Sequence, residues 1–154
     1  MKNSVSITLS VFSCLLFLGC AAQGPPIKTA SGRPEVTIPG ISPKRVRAAM
    51  IDRAVAHGWT LEHETENGLS FTKQSDNVAA SILLGSTYDP NVIDRVRITT
   101  VALDGGTKVY ATEELVSNHG SAFERITPLH NNKNSQNLQS VLESLKSNLT
   151  TKAE

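Results

Sequence analysis

The stretch NVIDRVRITTVALDGGTKVYATEELVSN, residues 91–118, has two runs rich in β-branched residues on either side of Asp104, Gly105 and Gly106. Runs of this composition favour strands, and Gly-rich pairs after Asp are typical of tight turns between antiparallel strands. The stretch therefore predicts a long β-hairpin. Because an isolated hairpin is only marginally stable in water, the flanking sequence must supply the rest of a sheet and the helices that cover it.

A short strand over residues 34–38 and a helix over residues 43–57 are predicted before the hairpin. Ser42 is a favourable N-cap, and Pro43 suits the first helical position. Gly58 suits the left-handed residue that ends a helix. Ile41 and Val46 occupy the two positions of a hydrophobic staple. The side chains expected on the buried side of the helix are Met50, Ile51, Ala54 and Val55.

Residues 59–66 alternate between two faces and predict a half-buried strand, with Asn67 and Gly68 as a hairpin signal. A two-residue turn would place Leu69 and Phe71 on the face of the glutamates. A three-residue loop over 66–68 keeps one apolar face instead, and a sheet's register must preserve such a face. We therefore expect the three-residue loop, with Gly68 left-handed in a bulge. The expected pairs are Thr65 with Leu69 and His63 with Phe71.

The remaining segments complete an α+β fold. Residues 78–84 favour a strand, with a short helix as the alternative, and residues 119–134 are typical of a loop. The end of the chain predicts an amphipathic helix, whose apolar positions are Leu138, Val141, Leu142, Leu145 and Leu149. The expected architecture is an antiparallel sheet of about four to five strands with two helices packed on one face. It forms one domain over residues 34–149, followed by a disordered tail at 150–154.

The first 19 residues have the layout of a signal peptide. Lys2 supplies a positive start, an apolar run of about 14 residues follows, and small residues surround Cys20. Since a membrane-spanning helix needs about 20 residues, an uncleaved anchor is the weaker alternative. Secretion is therefore expected.

The junction Phe17-Leu18-Gly19-Cys20 resembles the lipobox of bacterial lipoproteins. The resemblance implies cleavage before Cys20, acylation of its thiol with diacylglycerol and palmitate-type chains, and a mature protein anchored in a membrane. Ala21, where an Asp tends to retain such proteins at the inner membrane, favours the outer membrane with the domain in the periplasm. Cys14 is removed with the signal peptide, so Cys20 has no internal disulfide partner. Ordinary secretion with a cut after Ala22 is the alternative.

Charge and composition exclude one class of partner. Once Lys2 is removed, 14 basic residues stand against 14 acidic ones. A nucleic-acid-binding domain carries a basic excess, so no nucleic acid is expected among the partners. Residues 20–33, rich in Gly, Pro, Ser and Ala, predict a lipidated N-terminus on a flexible tether.

The sequence carries no recognisable catalytic, metal or cofactor motif. No two of His57, His63, His119 and His130 have the spacing of a metal pair. There is no nucleophile elbow, P-loop or dinucleotide fingerprint. We expect no cofactor, no metal and no enzyme activity, although a triad assembled in space can escape a linear scan. The Glu62, Glu64 and Glu66 stripe is expected to be a solvated strand face that Arg95 and Arg97 neutralise if their strands are neighbours.

The segment SNHGSAFERITPLH, residues 117–130, is the candidate binding loop, with His119, Phe123 and Arg125 as its site residues. Loops of this composition carry recognition in many proteins. The alternative is that Phe123 and Ile126 plug the end of the sheet. Their spacing of three would place both on one side of a helical turn, so the plug is the favoured prediction.

These observations predict a lipid-anchored, non-enzymatic envelope module that binds or assembles with an envelope protein partner. The order of its elements loosely resembles that of small helix-on-sheet domains in outer-membrane assembly lipoproteins, an analogy of fold and not of site. The alternative is a lipid-anchored carrier or sensor of a small apolar ligand. That alternative predicts a cavity between helices and sheet, lined by groups such as Trp59, Leu61 and Phe71.

Overall fold

The computed structural model describes residues 27–76, 91–129 and 133–151. These residues form an α+β fold, as predicted. Its elements in chain order are β1 (Glu35–Pro39), α1 (Pro43–Ala56), β2 (Thr60–Glu64), β3 (Gly68–Gln74), β4 (Val92–Leu103), β5 (Gly106–Ser117), β6 (Arg125–Leu129) and α2 (Lys133–Thr151).

The described strands form one antiparallel sheet in the order β1-β5-β4-β3-β2, and β6 also pairs with β5. Strands β1 and β6 lie one after the other along the same edge of β5: β1 pairs with residues 106–110, and β6 pairs with residues 113–117. The described part thus holds six strands, more than the four to five predicted. The additional strand is β6, in a segment whose composition predicts a loop.

The two helices contribute to one buried cluster with the same face of the sheet. Within α2, Leu142 is 0 % exposed and Leu145 4 %, while Leu138 is partly buried. The sheet contributes the cluster members Val36, Ile38, Leu69, Phe71, Ile98, Val109 and Ala111. The prediction for α1 is right for Met50 and wrong for Val55, which is 56 % exposed. The helix turns Val55 away from the sheet, because its buried stripe runs through Val46 and Met50.

Local signals at the ends of α1 are confirmed. The Ser42 hydroxyl accepts a hydrogen bond from the backbone N–H of Arg45 at 3.4 Å, and Pro43 is the first residue of the helix. Ile41 and Val46 are both buried, as a hydrophobic staple requires. Gly58 ends the turn with a φ of +79°, a conformation that costs glycine no steric strain.

The β4–β5 hairpin closes through Asp104 and Gly105, with Leu103 paired to Gly106. A side chain at Gly106 would overlap the backbone of Ile38 in β1. Glycine there allows β1 to approach the end of the hairpin. The Thr107 hydroxyl fastens the same corner, because it donates to the carbonyl oxygen of Ile41 at 2.6 Å.

The predicted register between β2 and β3 is wrong. Leu61, not His63, pairs with Phe71, and Glu64, not Thr65, pairs with Leu69. The pairing already differs by one residue at the turn, and a bulge between Leu61 and His63 adds a second residue to the shift. An extra residue in one strand changes which side chains reach the core. His63 is exposed as a result.

The turn that joins these strands also differs from the prediction. Gly68 lies outside the left-handed region, and the backbone N–H of Thr65 donates to the carbonyl oxygen of Gly68 at 2.8 Å. The predicted bulge at Gly68 is therefore wrong, and the bulge of this strand pair lies within β2, between Leu61 and His63.

The remaining predictions concern residues 78–84, the N-terminal segment and the two ends of the domain. Residues 78–84, like Cys20 and the signal segment, lie outside the described residues. Residues 29–33, within the predicted tether, form a turn in which the backbone N–H of Gly32 donates to the carbonyl oxygen of Thr29 at 3.2 Å. Helix α2 continues to Thr151, past the predicted start of the tail at 150. No helix within the described ranges is long and apolar enough to span a membrane.

Candidate functional site

Residues 118–124 connect β5 to β6 and form a compact turn that we call the anchored loop. Asn118 has a φ of 53° and Gly120 a φ of 73°, so the backbone reverses direction. The Ser121 hydroxyl donates to the carbonyl oxygen of Asn118 at 2.7 Å and accepts from the backbone N–H of Phe123 at 3.1 Å. These local bonds give the loop a defined shape.

An ionic network fixes the anchored loop to the sheet. Arg95 in β4 contacts two carboxylates: its Nε lies 3.2 Å from Oε2 of Glu62, and its Nη1 lies 3.0 Å from Oε1 of Glu124. Nε2 of His119 lies 2.6 Å from Oε1 of Glu62. The backbone N–H of Gly120 donates to Oε2 of Glu124 at 3.0 Å. The loop is therefore bonded both to β2 and to β4.

Both carboxylates of this network are stabilised in their charged form. The Gly120 N–H and then the Arg95 guanidinium lower the pKa of Glu124. Burial by itself would raise the pKa of Glu62, but the hydrogen bond from His119 and the charge of Arg95 outweigh burial and lower that pKa. Since each carboxylate accepts several donors, both Glu62 and Glu124 stay charged at neutral pH.

The bulge in β2 makes this contact geometrically available. Glu62 lies within the register shift of the strand, and it accepts a hydrogen bond from the Ser70 hydroxyl of β3 at 3.1 Å. The Glu62 side chain contacts Arg95 across the intervening strand β3. The predicted neutralisation of the glutamate stripe is confirmed for Arg95 and Glu62. It is wrong for Arg97, which contacts Glu114 at 3.2 Å instead.

Phe123 is 80 % exposed and Ile126 is 46 % exposed, so the plug prediction is wrong. Ile126 belongs to strand β6, where it pairs with Val116 of β5, and no helical turn aligns it with Phe123. The physical reason is that the free edge of β5 beyond β1 offers backbone donors and acceptors. Residues 125–129 satisfy them by pairing as a strand.

Of the three predicted site residues, the structure brings only His119 into the ionic network. Phe123 projects from the anchored loop, and Arg125 is exposed at the start of β6. Glu124 is not among the residues predicted from the sequence, where the only signal for it is its position in the same loop. The sequence predicts that Arg95 and Glu62 are partners, but it does not predict that they hold the loop. The bulge in β2 that brings Glu62 to Arg95 has no signature in the sequence.

A second candidate site is a groove of about 370 Å³ between the two helices and the sheet. Its apolar lining includes Met50, Trp59, Phe71, Val96, Leu138 and Val141. The groove lies where the ligand-carrier hypothesis expects a cavity, and two of the three residues named for it line it. Leu61 does not; it packs against the core cluster.

Polar groups stand at the edges of this groove. Glu113 of β5 is buried and accepts a hydrogen bond from the Asn134 side chain at 3.0 Å. Burial raises the pKa of both Glu113 and Asp94. Arg53, from α1, donates to the Ser144 hydroxyl of α2 at 3.2 Å and so bridges the helices along one side. The groove is thus apolar along its length and acidic where it meets β4 and β5.

A smaller cavity of about 250 Å³ lies beside residues 31–34 and β5, where β6 ends and β1 begins. Its lining includes Ile27, Arg33, Ala111 and Leu129. In the described ranges no group of three or more His, Cys, Asp or Glu side chains is placed to hold a metal ion.

Comparison with known proteins found no matching family model, no matching curated protein and no matching solved structure.

Proposed function

We propose that the chain is a lipid-anchored, non-enzymatic module of the bacterial cell envelope that binds an envelope protein through the anchored loop. Acylated Cys20 attaches it to the outer membrane, and the folded domain lies in the periplasm. The signal-type N-terminus and the lipobox-like junction at Cys20 support this location. No cofactor is required by this function.

The exposure of Phe123 carries the proposal. A solitary exposed apolar residue is ordinary, but this phenylalanine lies in a loop whose backbone is bonded on both sides of it. Aromatic side chains are prominent among residues that dominate the affinity of interfaces. A loop that is already ordered loses little further entropy on binding. The anchored loop therefore presents Phe123 as a preorganised contact.

The experiment is in-cell crosslinking from a photoreactive amino acid placed at position 123. The matched control places the same group at Leu103, an apolar residue that is 44 % exposed at the other end of β4. We expect a discrete protein adduct from position 123 and none from position 103. Equal labelling from both positions would mean that the adduct reports proximity alone, and would contradict the proposed interface.

The anchor is tested separately by metabolic labelling with a fatty-acid analogue. Cys20→Ala is expected to abolish the label and either release the protein into the soluble periplasmic fraction or leave the precursor uncut. Cys14→Ala is the control and should leave the label unchanged, because that cysteine lies within the segment to be removed. Label that persists in Cys20→Ala would refute the lipidation.

The groove supports a second candidate function, that of a lipid-anchored carrier or sensor of a small ligand with an apolar body. Its volume of about 370 Å³ falls within the range of small-molecule sites, about 300–1,000 Å³. Its lining combines aromatic and aliphatic side chains with a few polar groups, which is also typical of such sites.

A further inference from the structure

The apolar wall of the groove contains the one tryptophan of the chain, Trp59. It comes directly before β2, and Phe71 of β3 and Val96 of β4 lie in the same lining. Across from the sheet, α2 contributes Leu138 and Val141. These side chains form a slot between helices and sheet that suits an aliphatic or aromatic body.

One part of the groove floor carries two carboxyl groups. Asp94 and Glu113 lie on adjacent strands and on the same face, because Val96 pairs with Glu113 and Asp94 stands two residues before Val96. Glu113 is 7 % exposed, and its Oε2 has no hydrogen-bond partner among the described residues. Its Oε1 is satisfied by Asn134. A buried carboxyl oxygen without a donor is costly, and since Glu113 belongs to the groove lining, a cation held beside this carboxyl group would reduce that cost.

The other charged groups of the groove leave this end acidic. Lys73 pairs in register with Asp94, and Asp76 also lies in the lining. Among the described lining residues at this end, one cation therefore stands among three carboxyl groups. Arg53 and His57 belong to the end of α1, and Arg53 is engaged with Ser144. A carboxylate head group placed beside Glu113 would meet like charges, whereas an ammonium group would meet complementary ones.

We infer that the groove binds a small amphiphile whose apolar body lies against Trp59 and Phe71 and whose cationic amine head lies beside Asp94 and Glu113. The inference rests on the second function proposed above, and it specifies the chemistry of the ligand. Burial and the neighbouring Asp94 charge both raise the pKa of Glu113, which agrees with a carboxyl group that no cation of the described residues contacts.

The test compares three probes with the same tail, decylamine, decanol and decanoate, with the two ionic probes used below their micelle concentrations and decanol below its solubility limit. Binding is followed by the fluorescence of Trp59, which no other tryptophan obscures. We expect decylamine to bind at least about tenfold more tightly than decanol, because an ammonium–carboxylate hydrogen bond is stronger than a neutral one. Decanoate should bind most weakly.

Substitutions at Asp94 and Glu113 test whether these two carboxyl groups cause the preference for decylamine over decanol. Glu113→Gln and Asp94→Asn should each reduce the amine preference at least about threefold while decanol affinity stays unchanged. Glu114→Gln is the matched control, since Glu114 is the neighbouring residue of β5 on the opposite face and contacts Arg97. It should retain the preference in full. Thermal unfolding of each variant checks that it is folded, and Asp94→Asn provides the result if Glu113→Gln does not fold.

The outcomes distinguish the cationic ligand from the carrier function itself. Equal affinity for decylamine and decanol would overturn the cationic ligand and leave the carrier function standing. A fluorescence response to none of the three probes would overturn both, without affecting the partner surface at Phe123. A preference that survives in both carboxyl variants would show that the head group binds elsewhere.

Discussion

Arg95 in β4 reaches Glu62 in β2 across the intervening strand β3, with Nε of the guanidinium 3.2 Å from Oε2 of the carboxylate. This contact is the base on which the loop after β5 is held, because the same guanidinium binds Glu124 at 3.0 Å. The side chain of Arg95 is only 10 % exposed, so water has little access to the two carboxylates where Arg95 contacts them. The sheet face opposite the helices is therefore the platform for the anchored loop.

Arg95→Ala is expected to lower the free energy of unfolding by about 1–3 kcal/mol, because it leaves two sheltered carboxylates without their shared donor. The measurement is chemical denaturation. Arg125→Ala, the same change at an exposed arginine nearby, should alter the free energy by less than about 0.5 kcal/mol. Equal losses for the two variants would show that Arg95 contributes only a surface charge.

Phe123→Ala should change the free energy of unfolding by less than about 0.5 kcal/mol, because the ring is 80 % exposed. Phe71→Ala is the matched comparison: this ring is 3 % exposed, and its loss should cost about 3–5 kcal/mol. Denaturation midpoints of the two variants decide the matter. A large loss at position 123 would return the loop to a structural role and remove the reason for treating it as a contact surface.

Leu142→Ala should cost about 2–5 kcal/mol, as usual for the truncation of a fully buried leucine. The side chain is 0 % exposed within the cluster formed by both helices and the sheet. Leu103→Ala, at a leucine that is 44 % exposed, is the control and should cost far less. If both changes had the same small effect, α2 would not be packed on the sheet as described.

Glu113→Gln should raise the free energy of unfolding at neutral pH. The pKa of Glu113 is raised above its ordinary value of 4.5, so the folded protein holds this proton more tightly than the unfolded chain does. The stability that follows from this is present below pH 4.5 and is lost as the pH rises through the raised pKa. The advantage of the variant should therefore grow with pH across that window.

The check is a series of denaturation curves from acidic to neutral pH. Glu64→Gln, at an exposed carboxylate of β2, serves as the control and should show no comparable trend. A difference between Glu113→Gln and the parent chain that is independent of pH would contradict the assignment of a burial cost to this carboxyl group.

Local signals in the sequence were sufficient for the elements whose geometry depends on near neighbours. Ser42, Pro43 and Gly58 specify the ends of α1 through hydrogen bonds and backbone conformation within a few residues. The turn at Asp104 and Gly105 specifies the central hairpin, and the spacing of leucines specifies the buried side of α2. The class of fold follows from these elements, since an amphipathic helix and a half-apolar sheet can bury their surfaces only against each other.

The tertiary structure alone decided the two candidate sites, because each depends on contacts between residues far apart in the chain. The bulge in β2 lets Leu61 pair with Phe71 on the core face while Glu62 contacts Arg95 on the opposite face. No local sequence pattern indicates this pair of contacts. The open edge of β5 beyond β1 turned a loop-like segment into β6 and left Phe123 exposed. The groove, likewise, is the space left by the packing of two helices on a sheet. The N-terminal motif at Cys20 predicts where the protein resides, whereas long-range packing determines which of its surfaces can bind.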